Sequence, residues 1–155
     1  MEKRVVRAAV EERVTPGTWL DLDHLAEVEI TSEDAAHPIE GALVSSGGAG
    51  WRAADPGRQS IRLLFRAPQR LRHMRLRFQE ADIERTQEFA LRWSRDGGRS
   101  FQEIVRQQYT FSPAGATSEI EELSVDLDAV TALELTIVPD QHGRTYASLA
   151  EWRLA

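Results

Sequence analysis

The fold is decided by residues 59–98, which read QSIRLLFRAPQRLRHMRLRFQEADIERTQEFALRWSRDGG. Apolar residues alternate with arginines and other residues in three successive segments, 61–65, 74–78 and 89–93. Such alternation predicts β-strands that have one face on a core and the other in water. Residues 67–70 and 95–98 have the composition of tight turns, so we expect consecutive strands to run antiparallel.

The same pattern continues on both sides of this segment. It predicts a strand, or two joined by a bulge, at 18–30, and further strands at 101–109, 123–127, 133–137 and 146–154. A single short helix is predicted near 32–43, with Ser32 as its cap. About seven or eight strands at short, regular spacing predict an all-β domain, a β-sandwich or jelly roll.

The length of 155 residues fits one domain over residues 1–155, in which 1–17 form an N-terminal arm or an extra strand. The chain has no cysteine, which excludes a disulfide framework, a thiol nucleophile and a thiolate metal site. A formal net charge of −6 argues against nucleic-acid binding.

No apolar run approaches the roughly 20 residues of a membrane span, and the N-terminus lacks the apolar centre of a secretory signal. We therefore expect a cytoplasmic protein without a membrane span. A secreted protein whose signal has been removed is the alternative, and the oligomeric state stays open.

The connections between the predicted strands alternate in length. Consecutive antiparallel strands place every second connection at the same end of a sandwich, so all the long connections would gather at one end. We name this end A; it comprises loops 31–57, 80–86, 110–118 and 139–145, and the opposite end B comprises turns 67–70, 95–98 and 128–130. Binding residues are mostly found on loops held by a rigid scaffold, so end A is the predicted binding face.

Residues 30–78 carry a family resemblance; they read ITSEDAAHPIEGALVSSGGAGWRAADPGRQSIRLLFRAPQRLRHMRLRF. This segment resembles the opening of discoidin or coagulation-factor C-type domains, which are galactose-binding-like jelly rolls. The shared features are a serine-rich loop, an Ala-Asp-Gly-like step at 39–42, Trp51, and a strand that ends before Pro68.

Two later motifs extend the resemblance to residues 29–155. Residues 94–97 resemble the family's Ser-x-Asp-Gly hairpin, and 148–152 resemble its last strand. The resemblance implies the galactose-binding-like fold, with carbohydrate binding as the commonest use. The chain departs from the family in lacking the cysteine pair of many extracellular members and the His–Arg triad of the fucose-binding members.

The resemblance also implies a candidate calcium site. In several members a carboxylate near the start of the domain and a glutamate of the closing strand hold calcium with backbone carbonyls; the matching residues are Glu40 and Glu151. Ser32, Asp34 and Ser45 are nearby oxygen donors of the kind that calcium prefers. Such an ion would be structural. The alternative is that Glu40 is a surface acid and Glu151 bonds loop backbone, with no cofactor required.

Five residues on the end A loops are candidates for ligand binding: Trp51, Arg52, Arg85, His142 and Arg144. An aromatic plane can stack on a sugar ring, and a guanidinium group can bond hydroxyl or carboxylate groups. The alternatives are that Trp51 folds inward and plugs the sandwich, and that the cations are solvated and balanced by nearby acids, Glu80, Asp82, Glu84 and Asp140.

Enzyme motifs are missing: the sequence has no phosphate-binding glycine loop, nucleophile elbow or His-Glu-x-x-His. Residues 94–101 fit the Asp-box pattern once, which we interpret as a structural hairpin. We therefore expect a non-catalytic module that binds carbohydrate through end A. The alternative is an intracellular protein–protein interaction domain of the same fold, which a buried Trp51 and a flat end A would favour.

Overall fold

The structure, a computed structural model, describes residues 19–44 and 49–155. The predicted arm or extra strand at 1–17 and the candidate donor Ser45 lie outside these ranges. Within these ranges the elements are two one-turn helices and eight strands: α1 (Leu22–Leu25), β1 (Ala26–Ile30), α2 (Glu40–Leu43), β2 (Trp51–Arg52), β3 (Gln59–Gln79), β4 (Arg85–Ser94), β5 (Gln102–Phe111), β6 (Ser118–Val138), β7 (Ser148–Leu149) and β8 (Glu151–Leu154).

Two long strands, β3 and β6, contribute to both layers of a sandwich. They pair antiparallel from Gln59 opposite Ile137 to Gln79 opposite Ser118, with an irregular register between Leu64 and His73. The first half of β3 and the second half of β6 belong to a five-stranded layer of order β1-β3-β6-β4-β5. The remaining halves form a second layer with β8. The rings of Phe78 and Phe89 meet between the layers, with centroids 5.1 Å apart, so the predicted all-β sandwich is confirmed.

The prediction of a tight reversing turn at 67–70 is wrong. Residues on both sides of Pro68 pair with the same strand, β6, and the register shifts between Leu64 and His73. Pro68 has no amide hydrogen for the ladder, so the strand bends here and passes from one layer to the other. On β6 the matching bend includes Ala129, which has a φ of 57°. Because the strand reverses its direction where it passes from one layer to the other, the two halves of β3 run in opposite directions. The predicted ends A and B therefore keep their positions.

End A gathers the long loops, as predicted. Hydrogen bonds of 2.9 Å connect these loops and the start of β4: Glu80 N to Thr117 O, Arg85 Nη1 to Pro139 O, and Gly57 N to Thr145 O. At end B, the Gly97 amide donates to Thr131 Oγ1 at 2.8 Å. The sandwich therefore has one end built from long loops and one built from bends and a hairpin.

The hairpin at 94–101 is structural, as predicted. Asp96 Oδ1 accepts hydrogen bonds from the Ser94 hydroxyl at 2.6 Å and the Ser100 amide at 2.9 Å, and Oδ2 accepts one from the Ser100 hydroxyl. These hydroxyl groups, Ser100 foremost, lower the pKa of Asp96 far below its ordinary value. Gly97 and Gly98 supply the positive φ angles, 74° and 92°, that the turn requires.

Three predicted elements differ in extent. The strand expected at 18–30 begins only at Ala26, because residues 22–25 form α1. The helix expected at 32–43 is reduced to the single turn of α2. The closing strand at 146–154 divides in two, since β7 pairs with β2 and β8 pairs with β3. None of the helices among the described residues is long and apolar enough to cross a membrane.

Candidate ligand-binding site

A polar cleft of about 250 Å³ opens at end A. It lies between the start of β4, the end of β5 and the loop that leads from β6 to β7. Polar side chains line it: Glu84, Arg85, Thr86, Thr110, Asp140, Gln141, His142 and Thr145. The predicted binding face therefore contains a recess rather than a flat surface.

Arg85 is a buried member of this lining, with 2% of its side chain exposed. Its Nε donates to Glu80 Oε1 at 2.8 Å, and its Nη1 donates to Gln87 Oε1 at 2.6 Å and to Pro139 O at 2.9 Å. Its Cζ lies 4.9 Å from the ring centroid of Phe111. Nη2 has no hydrogen-bond partner among residues 19–44 and 49–155.

These contacts correct the expectation that Arg85 is a solvated or freely reaching cation. Burial alone raises the pKa of Glu80, but the hydrogen bonds from Arg85 and from the Asp82 amide offset this, and the pKa is lowered overall. The Arg85–Glu80 pair is therefore ionised and fixed. Arg85 can offer a ligand only its remaining Nη2 group, in an orientation that the protein has already set.

Thr145 brings a hydroxyl group that the protein leaves unsatisfied. Its Oγ1 is buried and has no hydrogen-bond partner in the described part of the chain. On the other wall, the hydroxyl oxygens of Thr86 and Thr110 lie 2.9 Å apart and are exposed. The Asp140 carboxylate accepts the Arg144 amide at 3.0 Å, which shapes the loop at the rim of the cleft. The cleft thus combines donors and acceptors at close range.

The other predicted cations take different positions. His142 lines the cleft and is exposed. Arg144 is exposed on the same loop, anchored through its backbone to Asp140. Arg52 does not line the cleft; its guanidinium lies over the ring of Tyr146, 5.4 Å from the centroid. Tyr146 is 39% exposed and is therefore an aromatic side chain available to solvent at end A.

Trp51 is not available to a ligand. Only 1% of it is exposed, and its Nε1 donates to Ser32 O at 3.1 Å. The pairing of Trp51 with Leu149 in the β2–β7 ladder turns its ring into the core. The candidate role as a sugar-stacking residue is therefore corrected, and the alternative, a tryptophan that plugs the sandwich, describes what is found.

The proposed calcium ligands sit beside a built-in cation. Glu40 is exposed at the start of α2, and Glu151 lies 3.6 Å from the guanidinium of Arg153. Arg153 donates to the carbonyl oxygens of Ala42 and Val44, both at 3.1 Å. Backbone carbonyl oxygens are common calcium ligands, and Arg153 already occupies these two at the end of α2.

The two nearby donors are also occupied. The Ser32 hydroxyl donates to Gln59 Oε1 at 2.7 Å, and Asp34 Oδ2 lies 2.9 Å from His37 Nδ1. Among residues 19–44 and 49–155, no three His, Asp or Glu side chains come together as a metal site would require. The described donors at Glu40 and Glu151 are thus a poor fit for a calcium ion.

Asp140 and Thr145 are site residues that sequence analysis did not select for binding. Their loop was recognised from its composition, but Asp140 was taken only as a balancing charge. No local pattern shows that Thr145 lines a recess, since this depends on how loop 139–147 packs against β4.

Comparison with solved structures identifies the fold. No family model matches the chain, and a search of curated proteins found no significant match. A family 32 carbohydrate-binding module from Clostridium perfringens, solved with GalNAc-β-1,3-galactose, is 17% identical with a TM-score of 0.66; the match covers 88% of this chain and 99% of that one.

Two further modules are similar. A chitosan-binding module from a Paenibacillus sp. IK-5 chitosanase/glucanase is 17% identical with a TM-score of 0.61, over 86% of this chain and 97% of that one. A pectin-binding module is 16% identical with a TM-score of 0.60, over 84% and 89%. These likenesses confirm the galactose-binding-like jelly-roll fold that the resemblance to discoidin domains implied.

Proposed function

We propose that this chain is a non-catalytic carbohydrate-binding module that holds its glycan in the end A cleft. The observation that carries this proposal is that two residues lining the cleft carry groups without a partner among the described residues, the Thr145 hydroxyl and Arg85 Nη2. A buried hydroxyl without a partner costs free energy, and a ligand that bonds it recovers that cost. Sugars suit such a site because each of their hydroxyl groups both donates and accepts.

The structural neighbours support a sugar over other polar ligands. Modules of the same fold were solved with galactose, with GalNAc-β-1,3-galactose, or as binders of pectin and chitosan. The identity to each is low, so they support a ligand class and leave the particular sugar to experiment.

In the proposed complex, Arg85 Nη2 donates to a sugar oxygen at the base of the cleft. The Thr145 hydroxyl and the Asp140 carboxylate accept from sugar hydroxyl groups, while Thr86 and Thr110 bond the opposite edge. His142 and Arg144 lie at the rim, where they contact the parts of the glycan that leave the cleft. Because Arg85 is already held by three protein acceptors, it loses little side-chain freedom on binding.

A protein-interaction domain is the second candidate. Ile83 and Tyr146 are exposed by 45% and 39% at the same end of the sandwich, and aromatic side chains are enriched at protein interfaces. A buried Trp51 was expected to favour a protein-interaction domain, and Trp51 is buried. A flat end A was expected as well, and the cleft at end A argues against this function.

The same proposal requires no metal ion. Arg153 supplies positive charge to the carbonyl groups of Ala42 and Val44 and to Glu151, which are the groups that a calcium ion would have stabilised. We therefore expect sugar binding that does not depend on calcium.

A glycan array with the purified chain, with calcium and with a chelator, tests the function. Asp140→Asn removes the acceptor charge in the cleft, and Asp82→Asn is the matched control, because Asp82 is exposed on a neighbouring end A loop outside the lining. We expect binding in both conditions that Asp140→Asn weakens and Asp82→Asn preserves. A blank array in both conditions, together with capture of a protein ligand sensitive to Ile83→Ser, would replace this function with the second candidate.

A further inference from the structure

A second recess lies on the outer face of the five-stranded layer, next to the end A cleft: its lining residues Glu88 and Val138 are two positions from Thr86 and Asp140 of the cleft. The strand registers place Ser60 opposite Thr136, Thr136 opposite Ala90, and Ala90 opposite Arg106. Short side chains thus follow one another across β3, β6 and β4. Neighbouring strands are about 4.8 Å apart, so these three short side chains span roughly 10 Å across the sheet.

Longer side chains rise on both sides of the row. On one side Arg62 and Arg92 both bind Glu134, with Arg62 Nη2 2.7 Å from Oε2. On the other side lie Arg58, Glu88 and Val138, and the recess they enclose has a volume of about 290 Å³. None of the side chains that line it lines the end A cleft. We call this recess the sheet trough.

Among the described charged side chains around the sheet trough, one cation has no ion-pair partner. Glu134 is neutralised by Arg62 and Arg92, and Arg106 binds both Glu88 and Glu103. Arg58 is exposed and forms no ion pair within the described ranges. An anionic group placed in the trough would therefore meet Arg58 without competing with a carboxylate of the protein.

The floor of the sheet trough is polar. It presents the hydroxyl oxygen of Thr136. The Ser60 hydroxyl on the adjacent strand β3 lies 3.5 Å from it, a distance that leaves both open to stronger partners. The nearby ring of Phe101 offers no stacking surface, since the guanidinium groups of Arg62 and Arg92 lie 5.0 and 4.7 Å from its centroid. A ligand here would be held by hydrogen bonds and charge rather than by stacking.

We propose that the sheet trough is a second binding site, and that it takes a carboxylate-bearing oligosaccharide whose chain crosses the strands. Its hydroxyl groups bond Ser60 and Thr136, and a carboxylate pairs with Arg58. An extended peptide fits less well, because the β4 and β6 backbones beneath the trough are already paired on both sides. The apolar lining is limited to Phe89, Ala90 and Val138 among the described residues, and Phe89 is itself fully buried, so little apolar surface is left for peptide side chains.

Titration of the ¹⁵N-labelled chain with tetragalacturonate, followed by NMR, tests this site. We expect saturating amide shifts at Ser60, Ala90 and Thr136. Arg58→Glu should weaken these by about tenfold or more, as the loss of a charged hydrogen bond implies. Arg99→Glu makes the same charge change on the exposed end B hairpin and should leave the affinity unaltered. Ala90→Gln, which fills the trough, should abolish the shifts.

Three outcomes would overturn the site. Shifts confined to loop 139–147 would place the ligand in the end A cleft alone. Equal weakening by Arg58→Glu and Arg99→Glu would mean attraction by net charge only. Binding of tetraglutamate as tight as that of tetragalacturonate would identify an acidic peptide site. If Ala90→Gln does not fold, the comparison of Arg58→Glu with Arg99→Glu still tests whether the sheet trough binds the ligand. Loss of binding in Asp140→Asn but not in Arg58→Glu separates the end A cleft from this site.

Discussion

Thr145 lines the end A cleft and has a buried hydroxyl oxygen without a partner among the described residues, which makes it a sensitive probe of the proposed binding. Thr145→Val keeps the shape of the side chain and removes the hydroxyl. Since the hydroxyl bonds no described protein group, the variant should be as stable as the wild type or more stable, by up to about 1 kcal/mol. Glycan affinity should fall by about fivefold to tenfold. Calorimetric unfolding and titration calorimetry measure the two effects.

Ser112→Ala, on another end A loop and outside the lining of the cleft, is the matched hydroxyl control. A Thr145→Val protein that loses stability and keeps its affinity would show that the hydroxyl has a protein partner in solution and no role in the site.

Trp51 should behave as a core residue rather than as a sugar platform. Trp51→Phe removes the hydrogen bond to Ser32 O and leaves a small void, so we expect a loss of about 2 kcal/mol in unfolding free energy. Glycan affinity of the folded fraction should not change. Chemical denaturation and titration calorimetry check this, and a loss of affinity at unchanged stability would return Trp51 to the binding site.

Residue positions in the chain indicated the loops of the site but not the directions of their side chains. His142 was correctly placed near the cleft, because an exposed histidine on a long loop has few alternatives. The sequence did not indicate the burial of Arg85 or the inward orientation of Trp51, because both depend on partners distant in sequence, Pro139 and Ser32. Alternation along a strand gives the face of a residue, whereas burial at a strand end depends on which loop covers it.

Glu134 connects three strands of the five-stranded layer, since it accepts hydrogen bonds from Arg62 on β3 and Arg92 on β4. Burial alone raises its pKa, but these two arginines offset this, so the pKa is lowered in the folded protein. The resulting stability is fully present above the unfolded pKa, about 4.3, and is lost as the pH falls through the folded value. Glu134→Gln should therefore be less stable by about 2 kcal/mol at pH 7.

The stability difference between wild type and Glu134→Gln should shrink below about pH 4.3, because the carboxyl group is protonated first in the unfolded chain and, at lower pH, in the folded protein as well. Urea denaturation of both proteins at pH 7, 4 and 3 measures the trend. A difference that is constant from pH 7 to pH 3 would mean that the ion pairs contribute no pH-dependent stability.

Arg153 joins β8 to the end of α2 and should make the fold independent of calcium. Arg153→Met keeps much of the side-chain volume but loses the hydrogen bonds to Ala42 O and Val44 O, which should cost about 2 kcal/mol. The wild type should melt at the same temperature with calcium and with a chelator. Differential scanning calorimetry of both proteins in both buffers tests this, and a melting temperature that rises with calcium in the wild type would restore a structural metal site.

At the scale of elements, the strands could be predicted where alternation is strong, as in 74–78 and 89–93. The error at Pro68 has a physical cause. A proline bounded by polar residues has the same composition in a reversing hairpin turn and in a bend within a long strand. Only the pairing partner separates the two, and that partner, β6, lies beyond two intervening strands. The one helix predicted, at 32–43, was too long because the composition of a capped helical turn also suits an irregular loop, and the helical turn α1 was not predicted.

The molecule as a whole should unfold in a single transition. Its two layers share β3 and β6, so neither layer can lose its order while the other keeps its complete set of strands. We expect equal calorimetric and van't Hoff enthalpies, and coincident melting curves from circular dichroism and tryptophan fluorescence. A fluorescence transition that precedes the circular dichroism transition would show that end A or one layer opens independently.

The pairing of β3 with β6 also bears on how fast the chain reaches this state. Both β4 and β5 separate the two strands in sequence, and β8, which completes the second layer on β3, is the last strand of the chain. The β4–β5 hairpin can close early because its turn is short and local. The β3–β6 ladder must bring distant segments together before its contacts compensate for the lost chain entropy. Such a high contact order implies slow folding on the millisecond-to-second scale, with the local hairpin forming before the two layers close on each other.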